Sequence, residues 1–136
     1  TWNVTGDVVA YASDKRLKEN IKTIPNAIEK VSALSGVTFD WNTTSEKAGF
    51  VPKRKYDEIG VLAQDVQNVL PQAVEYAPFD RNDDGTSKSG ENYLTVKYEK
   101  IVPLLIEAVK EQQAQIESQK SEIEELKDLV KQLINR

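Results

Sequence analysis

Cysteine and histidine are both absent from the 136 residues. Without cysteine there is no disulfide framework, thiol nucleophile or thiolate metal site. Without histidine there is no Ser-His-Asp triad and no imidazole metal ligand. Acid–base work near neutral pH is left to Lys, Asp, Glu or Tyr with a shifted pKa. No uncharged apolar run is long enough for a transmembrane helix, and no charged-then-apolar leader opens the chain, so no membrane partner is expected. The formal net charge is −4, which argues against a general electrostatic affinity for nucleic acid. The chain begins without Met and is expected to be a fragment of something longer.

What is present fits one domain with an extension. Charged residues make up 29% and hydrophobic residues 39%, slightly polar for a globular domain, as expected if part of the chain is a solvated rod. Thr1–Ala12 is β-branched and aromatic-rich and reads as strand. Ser13–Glu19 is an abrupt charged patch. Ile21, Ile24, Ile28, Val31 and Leu34 recur at spacings of three or four, with Pro25 to open a short helix and Gly36 to end it. Val37, Phe39 and Trp41 alternate as a strand. Asn42–Tyr56 holds Gly49, Pro52 and a basic cluster and reads as a loop. Gly60–Val69 reads as a short amphipathic helix stopped by Pro71. Ala73–Tyr76 and Tyr93–Lys97 read as two strands, joined by a long polar hairpin tip over Phe79–Asn92.

Tyr98–Arg136 carries a sustained heptad. Position a is Val102, Val109, Ile116, Ile123 and Val130. Position d is Leu105, Gln112, Gln119, Leu126 and Leu133. Pro103 is tolerable near the start, where the first N–H groups lack helical partners. At about 1.5 Å per residue the rod is roughly 50 Å long, too long to fold back on so small a body, so its seam is expected to meet other copies of itself. β-Branched a with Leu at d favours dimers. Two Gln at d break that rule, since three amides can meet around a threefold axis. The heptad alone does not choose between two strands and three.

Asp80–Glu91 (DRNDDGTSKSGE) matches the calcium-loop pattern D-x-[DN]-x-[DN]-G-x5-E in full. Its strand-like flanks, Ser87 at an ordinarily apolar position and Lys88 among the ligands argue instead for a hairpin tip rich in turn formers. No metal or other cofactor is expected. Lys53–Lys55 is too short a basic cluster, on an acidic domain, to be more than a solvated loop. Trp2, Trp41, Tyr76, Tyr93 and Tyr98 are expected to serve packing rather than ligand stacking. With His and Cys gone, a Ser activated by a Lys amine is the main nucleophile–base arrangement left, and Ser13 with Lys18 is the candidate pair. Such a Lys accepts a proton only as the neutral amine, which burial or nearby cations such as Lys15, Arg16 and Lys22 would favour. By spacing alone the pair reads as a charged surface loop.

Three blocks in order change that reading: SDKRLKENI from Ser13, GVLAQDVQ with P-x-A-V over Gly60–Val74, and VPLLIEAVKE over Val102–Glu111. Together they resemble the intramolecular chaperone auto-processing domain, or endosialidase-type chaperone, found at the end of phage tail fibres and tailspikes. The resemblance implies an α+β body of short strands and helices with a long hairpin, on a long C-terminal helix that forms a trimeric coiled coil. It implies residues 1–12 as the end of the fibre stem, 13–97 as the chaperone body and 98–136 as the coiled coil. It implies that Ser13 is the nucleophile and Lys18 the base, cutting the Ala12–Ser13 bond once the stem has folded. The partners implied are two further copies and the upstream stem, in a virion precursor made in the host cytoplasm. The rivals are a fibre trimerisation module that is never cut, a Ser-Lys hydrolase of other proteins, and a calcium-dependent adhesion tip on Asp80–Glu91.

Overall fold

In the computed structural model, Val4–Arg136 are the described residues. Thr1–Asn3, and with them Trp2, lie outside that range. The architecture is α+β: two small antiparallel sheets and three short helices are gathered on one end of a long fourth helix.

Helix α1 spans Ala27–Ser32, shorter than the expected Pro25-to-Gly36 stretch. Its preceding residue, Asn26, has a φ of 53° and makes no side-chain capping bond, so α1 lacks a cap of its own. Strand β1 (Val37–Phe39) pairs with β2 (Glu58–Gly60), with Thr38 opposite Ile59. The pattern over Gly60–Val69 predicts a helix from Gly60, but that glycine ends strand β2 and helix α3 covers Ala63–Val69. Glycine is a poor helix residue, and Gly60 has another use. A β-carbon there would lie 2.9 Å from the Tyr98 hydroxyl, which accepts a 3.3 Å bond from the Val61 N–H. The expected loop over Asn42–Tyr56 also contains a helix, α2 (Thr43–Lys47). Asn42 makes it possible: its side-chain oxygen accepts from the Ser45 N–H at 3.1 Å, satisfying a donor the helix leaves open.

Strands β3 (Val74–Tyr76) and β4 (Leu94–Val96) pair antiparallel with Glu75 opposite Thr95, as the hairpin reading required. The strand expected over Thr1–Ala12 is not formed among its described residues, Val4–Ala12, which are exposed and without strand structure. A strand needs a partner for its N–H and C=O groups, and no described residue pairs with this segment.

Helix α4 runs from Ile101 to Ile134, 34 residues and about 50 Å. Its first turns close the core. Leu104 and Ala108 are buried with Ala27, Val66, Leu70 and Ala73, and Ile24, Val31, Leu34 and Val61 pack around them. Full burial of a leucine is worth about 1.5–3 kcal/mol, and Leu104 is fully buried. From Gln112 onward every residue is exposed. The heptad positions stay open even beside the body: Val102 is 53% exposed and Val109 62%. On an ideal helix the Leu104–Ala108 face and the a/d stripe lie about 100° apart. The same turns thus carry two apolar faces, one spent on the body and one unspent.

Candidate functional site: the Ser13–Lys18 turn

Asp14 shapes this site. Its carboxylate accepts from the Arg16 N–H at 2.8 Å, and from the Arg16 guanidinium at 3.1 and 2.9 Å. The side-chain bond to Arg16, then the backbone bond, hold the Asp14 carboxyl below its usual range, and Arg16 is raised in return. The capped residues Lys15–Leu17 form a single 3-10 turn, closed by Leu17 N–H to the Asp14 carbonyl and Lys18 N–H to the Lys15 carbonyl. Asp14 and Lys18 themselves are extended. The turn folds the chain back, and Lys18 Nζ donates to Ser13 Oγ at 2.8 Å. A continuous helix would have separated two side chains five residues apart; the tight turn joins them within one chain.

The pair stands in the open. Every residue from Ser13 to Thr23 is exposed, and the first of this arm to pack on the core is Ile24. Ala12, on the other side of the expected scissile bond, is also exposed.

A carboxylate from far along the chain holds the far end of the arm. Glu111 on α4 accepts from the N–H groups of Ala27 at 2.8 Å and Ile28 at 2.9 Å. The bonds from Ile28 and Ala27 hold its carboxyl below the usual range against the opposing effect of burial. Glu111 closes the VPLLIEAVKE block, but the sequence assigns it no role: it is a polar side chain off the a/d stripe, and its partner Ala27 lies 84 residues away.

The calcium-like loop uses its oxygens on itself. The Asp80 side chain is buried and accepts from Ser87 Oγ at 2.7 Å, the Ser89 N–H at 2.8 Å and the Tyr93 N–H at 3.0 Å. Burial pushes its carboxyl up, but these donors outweigh burial and bring it down to about 2. Asp84 accepts from the Thr86 hydroxyl and N–H. Among the described residues no group of three or more acidic side chains is arranged to hold a metal ion.

The basic cluster is largely paired. Lys55 meets Glu46 at 2.9 Å and Arg54 meets Asp57 at 3.6 Å. Trp41 and Tyr93 join Phe39, Phe50 and Phe79 in a run of ring contacts with centroids 4.6 to 6.0 Å apart. These rings pack on one another beside a cleft of about 610 Å³ rimmed by Asp40, Asn42 and Glu91. The Ser13–Lys18 turn does not line it.

Residues 13–75, from the candidate serine into β3, match the family described as chaperone of endosialidase. The chain is 34% identical over 122 residues to the long tail fiber protein Gp37 of Enterobacteria phage K3, covering 89% of this chain and 9% of that protein. It is 36% identical over 114 residues to Gp37 of Enterobacteria phage M1, covering 83% of this chain and 40% of that one. The chain therefore spans less than half the length of these relatives. Over residues 13–75 the chain is similar to the chaperone-of-endosialidase family, and most of its length is similar to part of phage long tail fibre proteins.

Proposed function

We propose that this chain trimerises and folds a phage tail fibre, then releases itself by cutting the Ala12–Ser13 bond. The observation that carries the chemistry is the 2.8 Å contact between Lys18 Nζ and Ser13 Oγ, at the start of the family-matched stretch. Lys18, as the neutral amine, takes the hydroxyl proton. Ser13 Oγ attacks the carbonyl carbon of Ala12, the residue directly before it. Lys18 returns the proton to the Ser13 nitrogen as the C–N bond breaks, leaving Ala12 esterified to Oγ. Water hydrolyses the ester, giving an Ala12 carboxylate and restoring the Ser13 hydroxyl. No cofactor enters this sequence.

Assembly is assigned to α4. Its open a/d stripe supports a homotrimeric coiled coil with the Gln112 and Gln119 layers on the axis. In this division residues 1–12 end the fibre stem, 13–97 are the chaperone body and 98–136 the coiled coil. Intertwined β-stems have high contact order and fold slowly. Prior registration of three chains by the rod raises their effective concentration, and cutting afterwards leaves the stem kinetically trapped. The fibre part would enter the virion, made from a precursor in the host cytoplasm.

The exposure of Ser13 and Lys18 in the single chain favours one rival, a trimerisation module that is never cut. Intact mass with N-terminal sequencing after expression decides between them. A product beginning at Ser13 supports self-cleavage; a chain that stays whole as a trimer overturns it.

A further inference from the structure

The arm that carries Ser13 and Lys18 has no packing of its own before Ile24. Its course is therefore set where it enters α1. That helix has six residues, too few to be stable alone, and Asn26 supplies no side-chain cap. Its first two N–H groups are held instead by Glu111 of α4. Glu111 is also the last half-buried residue of α4; every residue beyond it is exposed.

We propose that Glu111 is a positioning residue for the Ser13–Lys18 pair, clasping the base of the arm to the point where the body ends and the rod begins. The proposal rests on the self-cleavage reading above. An isolated helix gains order when its apolar stripe is buried, so association of the rods steadies α4 through Glu111. The clasp passes that order to α1 and onward to the arm. Cleavage is thereby tied to assembly without any seam residue touching the reacting atoms.

The test compares Glu111→Ala, Glu111→Gln and Leu34→Ala in the whole chain. Leu34 packs against the same core, but its side chain has no atom to accept from the N–H groups that Glu111 holds, so its truncation loosens the body without cutting the clasp. Each variant is followed by sedimentation equilibrium, a gel time course of cleavage, and hydrogen exchange at the Ala27 and Ile28 amides. Glu111→Ala is expected to remain trimeric, to expose both amides, and to cleave at least tenfold more slowly than Leu34→Ala at matched melting temperature. Glu111→Gln, with one acceptor oxygen left, is expected to fall between Glu111→Ala and the unmodified chain. Equal rates for Glu111→Ala and Leu34→Ala, or wild-type cleavage in Glu111→Ala, would overturn the proposal alone. An unmodified trimer that never cleaves would overturn the self-cleavage reading and this proposal with it.

Discussion

Lys18 Nζ donates to Ser13 Oγ across 2.8 Å, yet both side chains stand open to water. The turn solves the geometric half of the problem: it presents hydroxyl and amine to each other within one chain. It does not supply the cover that favours a neutral amine. In the proposed mechanism that cover comes from assembly, because the arm's own body leaves it bare.

Replacement of either group tests this directly. Ser13→Ala removes only the attacking oxygen, and Lys18→Arg keeps a cation that does not give up its proton near neutrality. Both chains are expected to be folded, trimeric and uncut by intact mass. Cleavage at the normal rate in Lys18→Arg would eliminate Lys18 as the base.

Charges in the seam should separate chains without touching the site. Ile116→Asp combined with Ile123→Asp would place a carboxylate from every chain in two buried layers. Both positions are on the open stripe, at 44% and 50% exposure, so a single chain loses little by the change. A monomer by sedimentation, cut at least tenfold more slowly, is the expected result. A monomer that cleaves at the unmodified rate would mean the site is complete in one chain.

The Asp80 carboxyl predicts an acid-sensitive hairpin. Its folded value of about 2 lies below its ordinary 3.8. The folded form therefore holds the charge more readily than the unfolded form. The stabilisation is complete above about pH 4 and is lost as pH falls through about 2. Asp80→Asn should lower the melting temperature at pH 7 by several degrees and flatten its decline between pH 4 and pH 2. Because these oxygens already accept from the loop, added calcium should not raise the melting temperature. A large calcium-dependent rise would restore the adhesion-tip reading.

Gly60→Ala tests the contact between β2 and the approach to α4. The added carbon would meet the Tyr98 hydroxyl at 2.9 Å and Phe39 Cε1 at 3.4 Å. Overpacking costs about 1–3 kcal/mol, and the lower end is expected because Tyr98 is 54% exposed and has room to swing away. Tyr98→Phe removes the obstructing oxygen. In its background Gly60→Ala should cost less, so a denaturation cycle should show non-additivity; strict additivity would show that the hydroxyl is not the obstacle.

Legibility in the sequence followed range. Helix α4 was readable because its heptad repeats within one element, and the β3–β4 hairpin because turn formers separate two apolar runs. Helix α2 was hidden by its length: five residues show no period, and only Asn42 hints at a start. Strand β2 has three residues, and its glycine makes sense only once Tyr98 is beside it. The Asp80 loop satisfied a calcium pattern because oxygen-rich turn formers serve equally to bind a cation and to collect a chain's own N–H groups. Motif resemblance singled out Ser13 and Lys18, but the capping role of Asp14 needed the turn itself. Nothing local to Glu111 announces a partner 84 residues away.

The smallness of the core has a consequence for the released domain. Val66, Leu104 and Asp80 are the largest fully buried side chains, and alanine supplies most of the remaining buried positions. Under the proposed trimer, a body with so little interior would draw much of its persistence from association, and an obligate oligomer's stability cannot be separated from its concentration. If three rods join as proposed, the crowded neighbourhood of a growing fibre would hold them together. Set free by the proposed cut, they would disperse, and each body would become easier for a protease to open. Dilution would then act as the disposal signal for a tool that has finished its work.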